Sequence, residues 1–310
     1  MPPETRQELL SPESPALLVD GVERRAFAGA LFELTKPRLS FLSVVTTLVG
    51  YLAARPERDG WLLVNLLVGT ALAAGGAAAL NQWMERRTDA LMRRTMDRPI
   101  PSGQVTPVQA FLWGLGLSVV GVGLLLATAG SLAAWLAAAT IVSYILVYTP
   151  LKRRTRWSTE VGAVSGALPP LIGWAAARGT IDGLGWVLFA LLFFWQIPHF
   201  LAIAWTYRHD YEAADFPMLP VIDGDGRSTA WWSLVNTVVL AGVTVAPAFL
   251  GLTGWLFGGA AFILGAAFIW YAMLMLRADE RNRAARRLFF YSIFYLPALL
   301  AILVLDRWLA

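Results

Sequence analysis

From Trp61 to Gln82 the chain reads WLLVNLLVGTALAAGGAAALNQ and carries no charged side chain. The hydrocarbon core of a bilayer is about 30 Å thick and takes roughly 20 helical residues to cross. Lipid offers no hydrogen bonds to a backbone, so a chain that crosses it must be helical or form a closed barrel. Continuous apolar runs, as opposed to alternating ones, require helices. Nine such runs occur, at 39–54, 61–82, 107–128, 131–149, 159–177, 184–204, 230–250, 252–272 and 289–306. A length of 310 residues would otherwise fit two soluble domains, but 57% apolar and 15% charged residues with a mean hydropathy of +0.58 exclude that. The fold class expected is an all-α integral membrane protein with nine transmembrane helices. Residues 1–28 hold Pro, Ser and charges without an apolar core and read as a disordered cytoplasmic tail. Residues 29–310 form the transmembrane domain, with the first span as anchor and no cleavable signal.

Orientation follows from the basic residues. Of the 25 Lys and Arg, 21 fall in the N-terminal segment and in the connections after the second, fourth, sixth and eighth runs; the opposite side holds 4. This predicts an N-terminus in the cytoplasm and a C-terminus outside; the compartment expected is a cell membrane, the bacterial inner membrane. The net charge of +4 is concentrated on the cytoplasmic, membrane-apposed side and needs no nucleic acid to explain it. With no cysteine there is no disulfide, cysteine-ligated zinc, iron–sulfur cluster or thioether-attached haem.

The second run opens onto NQWMERRTDA. If the helix continues, Asn81, Glu85 and Asp89 stack on one face. Two carboxylates four residues apart repel, and a divalent cation would reverse the sign. Oxygen donors without Cys or His suit Mg²⁺ together with a substrate phosphate. Asn81 and Asp89 are about 12 Å apart along a helix axis, so either two ions lie along it or the ligands surround something elongated such as a diphosphate. The alternative is local neutralisation, with Glu85 beside Arg86 and Asp89 four residues before Arg93.

The other connections on this side repeat the theme. ALMRRTMDRPIPSG adds Arg93, Arg94 and Arg98, whose guanidinium forks suit phosphate oxygens. YTPLKRR sets Tyr148 and Lys152 four apart, WTYRHDYEAADFPMLP carries Asp210, Glu212 and Asp215, and TKPRLS carries Lys36 and Arg38. For Arg38, anchoring at the membrane surface and phosphate contact are both open. The pairs Ala73/Ala77 and Gly75/Gly76 read as helix-packing contacts. Of the two histidines, His209 lies in a charged loop and reads as solvated or paired. His199 lies inside the sixth run, in FFWQIPHFLAIAW, after a proline that leaves the Phe194 carbonyl without its usual donor. Two roles stand open for His199: a hydrogen bond to that backbone or to a neighbouring span, or axial ligation of a haem iron.

Six stretches together, NQWMERRTD, RTMDRPIPSG, YTPLKRRT, GALPPLIGWAA, WQIPHF and DYEAADFPMLPV, resemble the protohaem IX farnesyltransferases (haem O synthases) of the UbiA superfamily of membrane prenyltransferases. The resemblance runs from about residue 33 to 305. It implies helices around a central cavity open to the cytoplasm and sideways to lipid. It also implies transfer of the farnesyl group of farnesyl diphosphate to a vinyl group of haem B, giving haem O and diphosphate, with Mg²⁺ as cofactor. A downstream haem A synthase is an implied partner. On the superfamily's first aspartate-rich motif Asn81, Glu85 and Asp89 take the Asn and the last two acids, and Gln82 stands where a second-position Asp is usual. The Tyr-x-x-x-Lys motif falls on Tyr148 and Lys152. The second acidic motif is half present, with Asp210 as its later acid and Thr206 four residues before it.

The carry-over assigns Asn81, Glu85, Asp89 and Asp210 to Mg²⁺, and Arg38, Arg93, Arg98 and Lys152 to diphosphate. Tyr148 donates to a phosphate oxygen or faces the allylic cation. His199 is counted among the substrate-binding residues, a position the resemblance marks as important without fixing its role. Two rivals remain: another prenyltransferase acting on a quinone or chlorophyll precursor, and a transporter. A transporter would call for polar groups near mid-membrane and often for inverted repeats with broken helices. Pro169-Pro170 and Pro198 do interrupt helices, but no repeat is evident and the acids sit at the membrane edge.

Overall fold

The computed structural model describes residues 26–309 apart from Arg58, Arg93 and Ala214; all regular structure among them is helical. The expected tail at 1–28 therefore lies outside the described residues up to 25, and residues 26–28 open a helix, α1, that runs to residue 34. Lys36 turns the chain in the left-handed region (φ 45°) before Pro37, whose fixed φ suits the first position of α2 (Pro37–Ala53). Asp59 caps α3 (Gly60–Asp89) by accepting from Leu62 N at 2.9 Å. Thr106 and Gln109 form a capping box at the start of α4 (Pro107–Thr128).

The fourth run is not uniform. Helix α5 (Ser131–Val142) passes into a π-turn, Ser143–Tyr148, and then α6 (Thr149–Leu151). Pro150 has no N–H to donate, and the Thr149 N–H reaches back to the Tyr144 carbonyl, five residues away, which widens the helix. The fifth run breaks as well: α7 (Ser158–Ala167) and α8 (Pro169–Arg178) meet at Leu168, before the Pro169-Pro170 pair. Helix α9 (Gly183–Thr206) passes through Pro198 and stops at Tyr207, where α10 (Arg208–Glu212) begins; a single helix through Asp210 is not formed. A short α11 (Leu219–Ile222) precedes α12 (Arg227–Phe249), α13 (Trp255–Leu274) and α14 (Arg281–Leu309).

Among the described residues seven helical segments are long and apolar enough to cross a membrane. The first expected span is the 17-residue α2, and the fifth is two helices of ten residues each. Large apolar side chains such as Phe41, Trp135, Phe262 and Ile263 are exposed around the bundle. Water would penalise such a surface and hydrocarbon does not.

Two contacts built on missing side chains set the frame. On α3 and α4, Gly69, Gly76, Gly114 and Gly121 let the two backbones touch. A Cβ on Gly76 would stand 2.6 Å from the Ser118 nitrogen and 2.7 Å from the Gly114 carbonyl. On α2 and α8, Gly50 faces the Pro170 backbone and Gly173 faces the Thr47 carbonyl, while Thr47 Oγ1 donates to Pro169 O at 3.0 Å. The main apolar core lies elsewhere, between α9, α12, α13 and α14, around the fully buried Phe257, Phe268 and Tyr295.

Gly76→Ala should therefore force α3 off α4 and cost about 1–3 kcal/mol, a melting-point drop of several degrees in detergent. Gly116 lies on the same helix as Gly114 with nothing within 4 Å of an added Cβ, and Gly116→Ala should leave the melting point in place. Equal effects in the two variants would show that the α3–α4 approach is not what these glycines serve.

Candidate active site

Helix α3 is 30 residues long, about 45 Å at 1.5 Å per residue, so it outruns a hydrocarbon core by several turns. Its last three turns carry the expected stack. Asn81, Glu85 and Asp89 are all buried, at 2%, 8% and 1% exposure. Each finds a partner delivered by another segment. Lys36, from the α1–α2 turn, donates Nζ to Asn81 Oδ1 at 2.9 Å. The amide of Asn81 in turn donates to Thr149 Oγ1 at 3.1 Å, and Thr149 Oγ1 donates to the Tyr144 carbonyl of the π-turn at 2.8 Å. Lys152, beyond α6, donates to Glu85 Oε1 at 3.2 Å. Arg98, from the loop after α3, donates to Asp89 Oδ2 at 2.7 Å.

For Glu85, neutralisation by its sequence neighbour Arg86 is thus not what forms. Arg86 donates instead to the Trp83 carbonyl at 2.6 Å and stacks over the Trp83 ring. Arg93 lies outside the described residues. Arg38 is exposed on the first turn of α2 and takes no place in the cavity wall, whereas Lys36, two residues earlier, does. Three cations converge on two carboxylates, an excess of positive charge. Burial, with Arg98 and Lys152 nearby, pushes the Lys36 pKa down to about 8 although Glu85 and Asp89 oppose the shift. An anion arriving here would relieve that strain.

Below Lys36 and Lys152 a cavity of about 340 Å³ descends between α2, α3, α5, α7, α8 and α9. Tyr144, Tyr148 and Tyr211 stand at its upper wall; the first two stack at 5.5 Å between ring centres. Gly162 makes room for the Tyr148 ring, since a Cβ there would lie 2.8 Å from Cε2. The α3 side of the cavity is a stripe of Thr70, Ala73, Ala74, Ala77 and Ala78, so Ala73 and Ala77, expected only to pack helices, also line space. Leu39 on α2 and Phe200 on α9 are exposed and belong to the wall as well, so the cavity is not sealed at these side chains. A volume of this size with an apolar body and a charged top suits an amphiphile with an anionic head.

Asp210 does not join the stack. It is exposed on α10, and among the described residues Glu85, Asp89 and Asp210 form no cluster able to hold an ion. Its neighbour Tyr211 lines the cavity instead, with Arg94 over its ring. The α3 donors taken alone do suit a hard cation. Lys152 and Arg98 each engage one carboxylate oxygen, and no hydrogen bond among the described residues engages Glu85 Oε2 or Asp89 Oδ1. His209 pairs loosely with Glu212 at 3.5 Å, both exposed.

His199 turns away from the cavity toward α14. Its Nδ1 lies 2.7 Å from Ser292 Oγ, and because that hydroxyl donates to the Phe289 carbonyl at 2.6 Å, the imidazole N–H is the donor. The ring stacks on Trp195 at 4.7 Å, and Trp195 Nε1 donates to the Ser292 carbonyl at 2.9 Å. The hydrogen bond to a neighbouring span, one of the two roles open from sequence, is formed.

The sequence profile of the UbiA prenyltransferase family matches residues 43–294. The chain belongs to that family. A protoheme IX farnesyltransferase of Opitutus terrae is 56% identical over 275 residues, covering 89% of this chain and 93% of that one. One of Solibacter usitatus is 43% identical, over 89% and 97%. Among solved structures, one of a digeranylgeranylglyceryl phosphate synthase superposes with a TM-score of 0.78 at 15% identity over 91% of this chain and 98% of that one. A UbiA homolog from Archaeoglobus fulgidus bound to GPP and Mg²⁺ gives 0.64 at 12% identity, over 88% and 99%. At those identities the structures speak for the fold alone.

Two substitutions probe this geometry. Arg98→Met should leave Asp89 a buried carboxylate without a cation and cost about 3 kcal/mol of unfolding free energy in detergent. Adding Asp89→Asn should recover most of the loss, and no recovery would mean that Arg98 acts through something other than Asp89. His199→Ala should lower stability by about 1–3 kcal/mol through the lost hydrogen bond and stacking and leave the Soret band of added haem unmoved; a displaced band would return His199 to the haem.

Proposed function

We propose that the chain transfers the farnesyl group of farnesyl diphosphate to a vinyl group of haem B, giving haem O and diphosphate. The observation that carries this reading is the 56% identity, over nine-tenths of both chains, to a protein named protoheme IX farnesyltransferase. The geometry is consistent with it, because a cationic rim above an alanine-walled cavity fits a diphosphate with a long apolar tail.

In this reading Lys36, Lys152 and Arg98 hold the diphosphate, and fixed cations there lower the cost of charge developing on the leaving group. Asn81, Glu85 and Asp89 would hold Mg²⁺, which would neutralise further charge on the departing diphosphate. The C1–O bond breaks with its electron pair going to diphosphate, and the haem vinyl group bonds to C1. Water then adds to the resulting cation and releases a proton, leaving a hydroxyethyl farnesyl side chain. Tyr148 and Tyr144 face the allylic cation from the cavity wall, where ring faces favour positive charge and their bulk excludes water. Lys36 takes the place that sequence reasoning gave to Arg38, and Asp210 drops out of the ion's ligands. The basic-residue bias supports a rim on the cytoplasmic side with the C-terminus outside, and the compartment in this reading is the bacterial inner membrane.

Incubating the purified chain with farnesyl diphosphate, haem B and Mg²⁺ should give a pigment heavier by one farnesyl group and one hydroxyl. Flux of a solute without product would decide for a transporter, and prenylation of a quinone precursor but not of haem for another acceptor. Asp89→Asn should lower kcat/KM more than about tenfold, 1.4 kcal/mol, while the protein still folds. A smaller loss would remove Asp89 from the ion.

A further inference from the structure

We infer that the floor of the cavity, formed by Thr70, Ala137 and Ile172, sets the length of the prenyl chain at three isoprene units. The inference rests on the proposed prenyl transfer and adds the residues that select the donor.

The depth can be read along α3. Lys152, bonded to Glu85, stands highest on the cavity wall, and Lys36, bonded to Asn81, stands four residues lower along α3. The roughly 6 Å between them is taken by the diphosphate, so the prenyl chain is measured from the level of Asn81. The lowest cavity residue on α3 is Thr70, eleven residues away, about 16 Å at 1.5 Å per residue. Carbon–carbon bonds of about 1.5 Å in a zigzag advance about 1.25 Å each, so an isoprene unit of four bonds spans about 5 Å. Three units take about 15 Å on that scale and reach Thr70; a fourth, at about 20 Å, has nowhere to go. One turn lower, Leu66 is fully buried and packs in one cluster with Ala133, Ala134, Ala137 and Ile172, so the space ends there.

The same scale locates a stop for a shorter chain. Ala74 lies seven residues from Asn81, about 10 Å, the reach of two units. It is half-buried on the cavity face of α3, so a larger side chain there would grow into the cavity.

The test uses the full-length chain in lipid nanodiscs with haem B and the C10, C15 and C20 prenyl diphosphates, compared by kcat/KM. The unaltered chain should prefer C15. Ala74→Phe should reverse the C15 over C10 preference, with C15 falling by at least about tenfold while C10 is kept, and Ile172→Ala should raise C20 relative to C15 by about tenfold. If Ala74→Phe does not fold, Ala74→Leu should show the same reversal to a smaller extent. An unchanged order in the folded variants, or an equal loss of C10 and C15, would overturn the inference. Should the unaltered chain prenylate no haem from any donor, the proposed function falls instead. The floor is then judged on the relative affinities of the three diphosphates for the same variants, where an unchanged order overturns it.

Discussion

Two carboxylates and an amide buried at the end of an apolar helix cannot stand alone, because removing charge from water costs several kcal/mol per ion unless a counter-charge is fixed nearby. Here the counter-charges come from three separate stretches of chain: Lys36 before α2, Lys152 after α6 and Arg98 beyond α3. The need to neutralise α3 therefore brings together the segments that form the cavity mouth. The cations outnumber the acids, and the surplus is what an anionic ligand would meet.

That convergence depends on helices meeting at fixed heights. Glycines at the α3–α4 and α2–α8 crossings let backbones touch, and the π-turn before Pro150 widens α5 so that Tyr144, Tyr148 and Thr149 all reach the site. Membrane helices lack a hydrophobic drive to pair with one another, so close contact of this kind carries much of the work. The larger apolar core, around Phe257 and Phe268, lies on α9 and α12–α14 and contributes few cavity residues, which leaves the hollow on the α3 side.

Much of this was legible in the sequence. Asn81, Glu85 and Asp89 at four-residue intervals announce a continuing helix, and uncharged runs locate the spans, because both signals are local. The partners of those residues were not legible, since contacts across 45 or 67 positions leave no periodic trace; for Glu85 adjacency favoured Arg86, and space favoured Lys152. Asp210 followed from its spacing to Thr206, but the helix ends between them at Tyr207, and Tyr211 lines the cavity in its place. The alanines of α3 look identical whether they touch a neighbouring helix or an empty volume. His199 was rightly marked as costly in apolar surroundings, but Ser292, whose hydroxyl satisfies it, lies 93 residues on.

The length of α3 has a consequence for rates. A helix of about 45 Å sets its acidic end beyond a hydrocarbon layer of about 30 Å while its alanine stripe stays within that layer. A substrate that spans the same boundary is counted per area of bilayer, not per volume of water. Diluting the membrane with inert lipid at constant bulk concentration would then slow turnover, and adding water at constant lipid composition would not. The working concentration scale for such a chain is mole fraction in the surface.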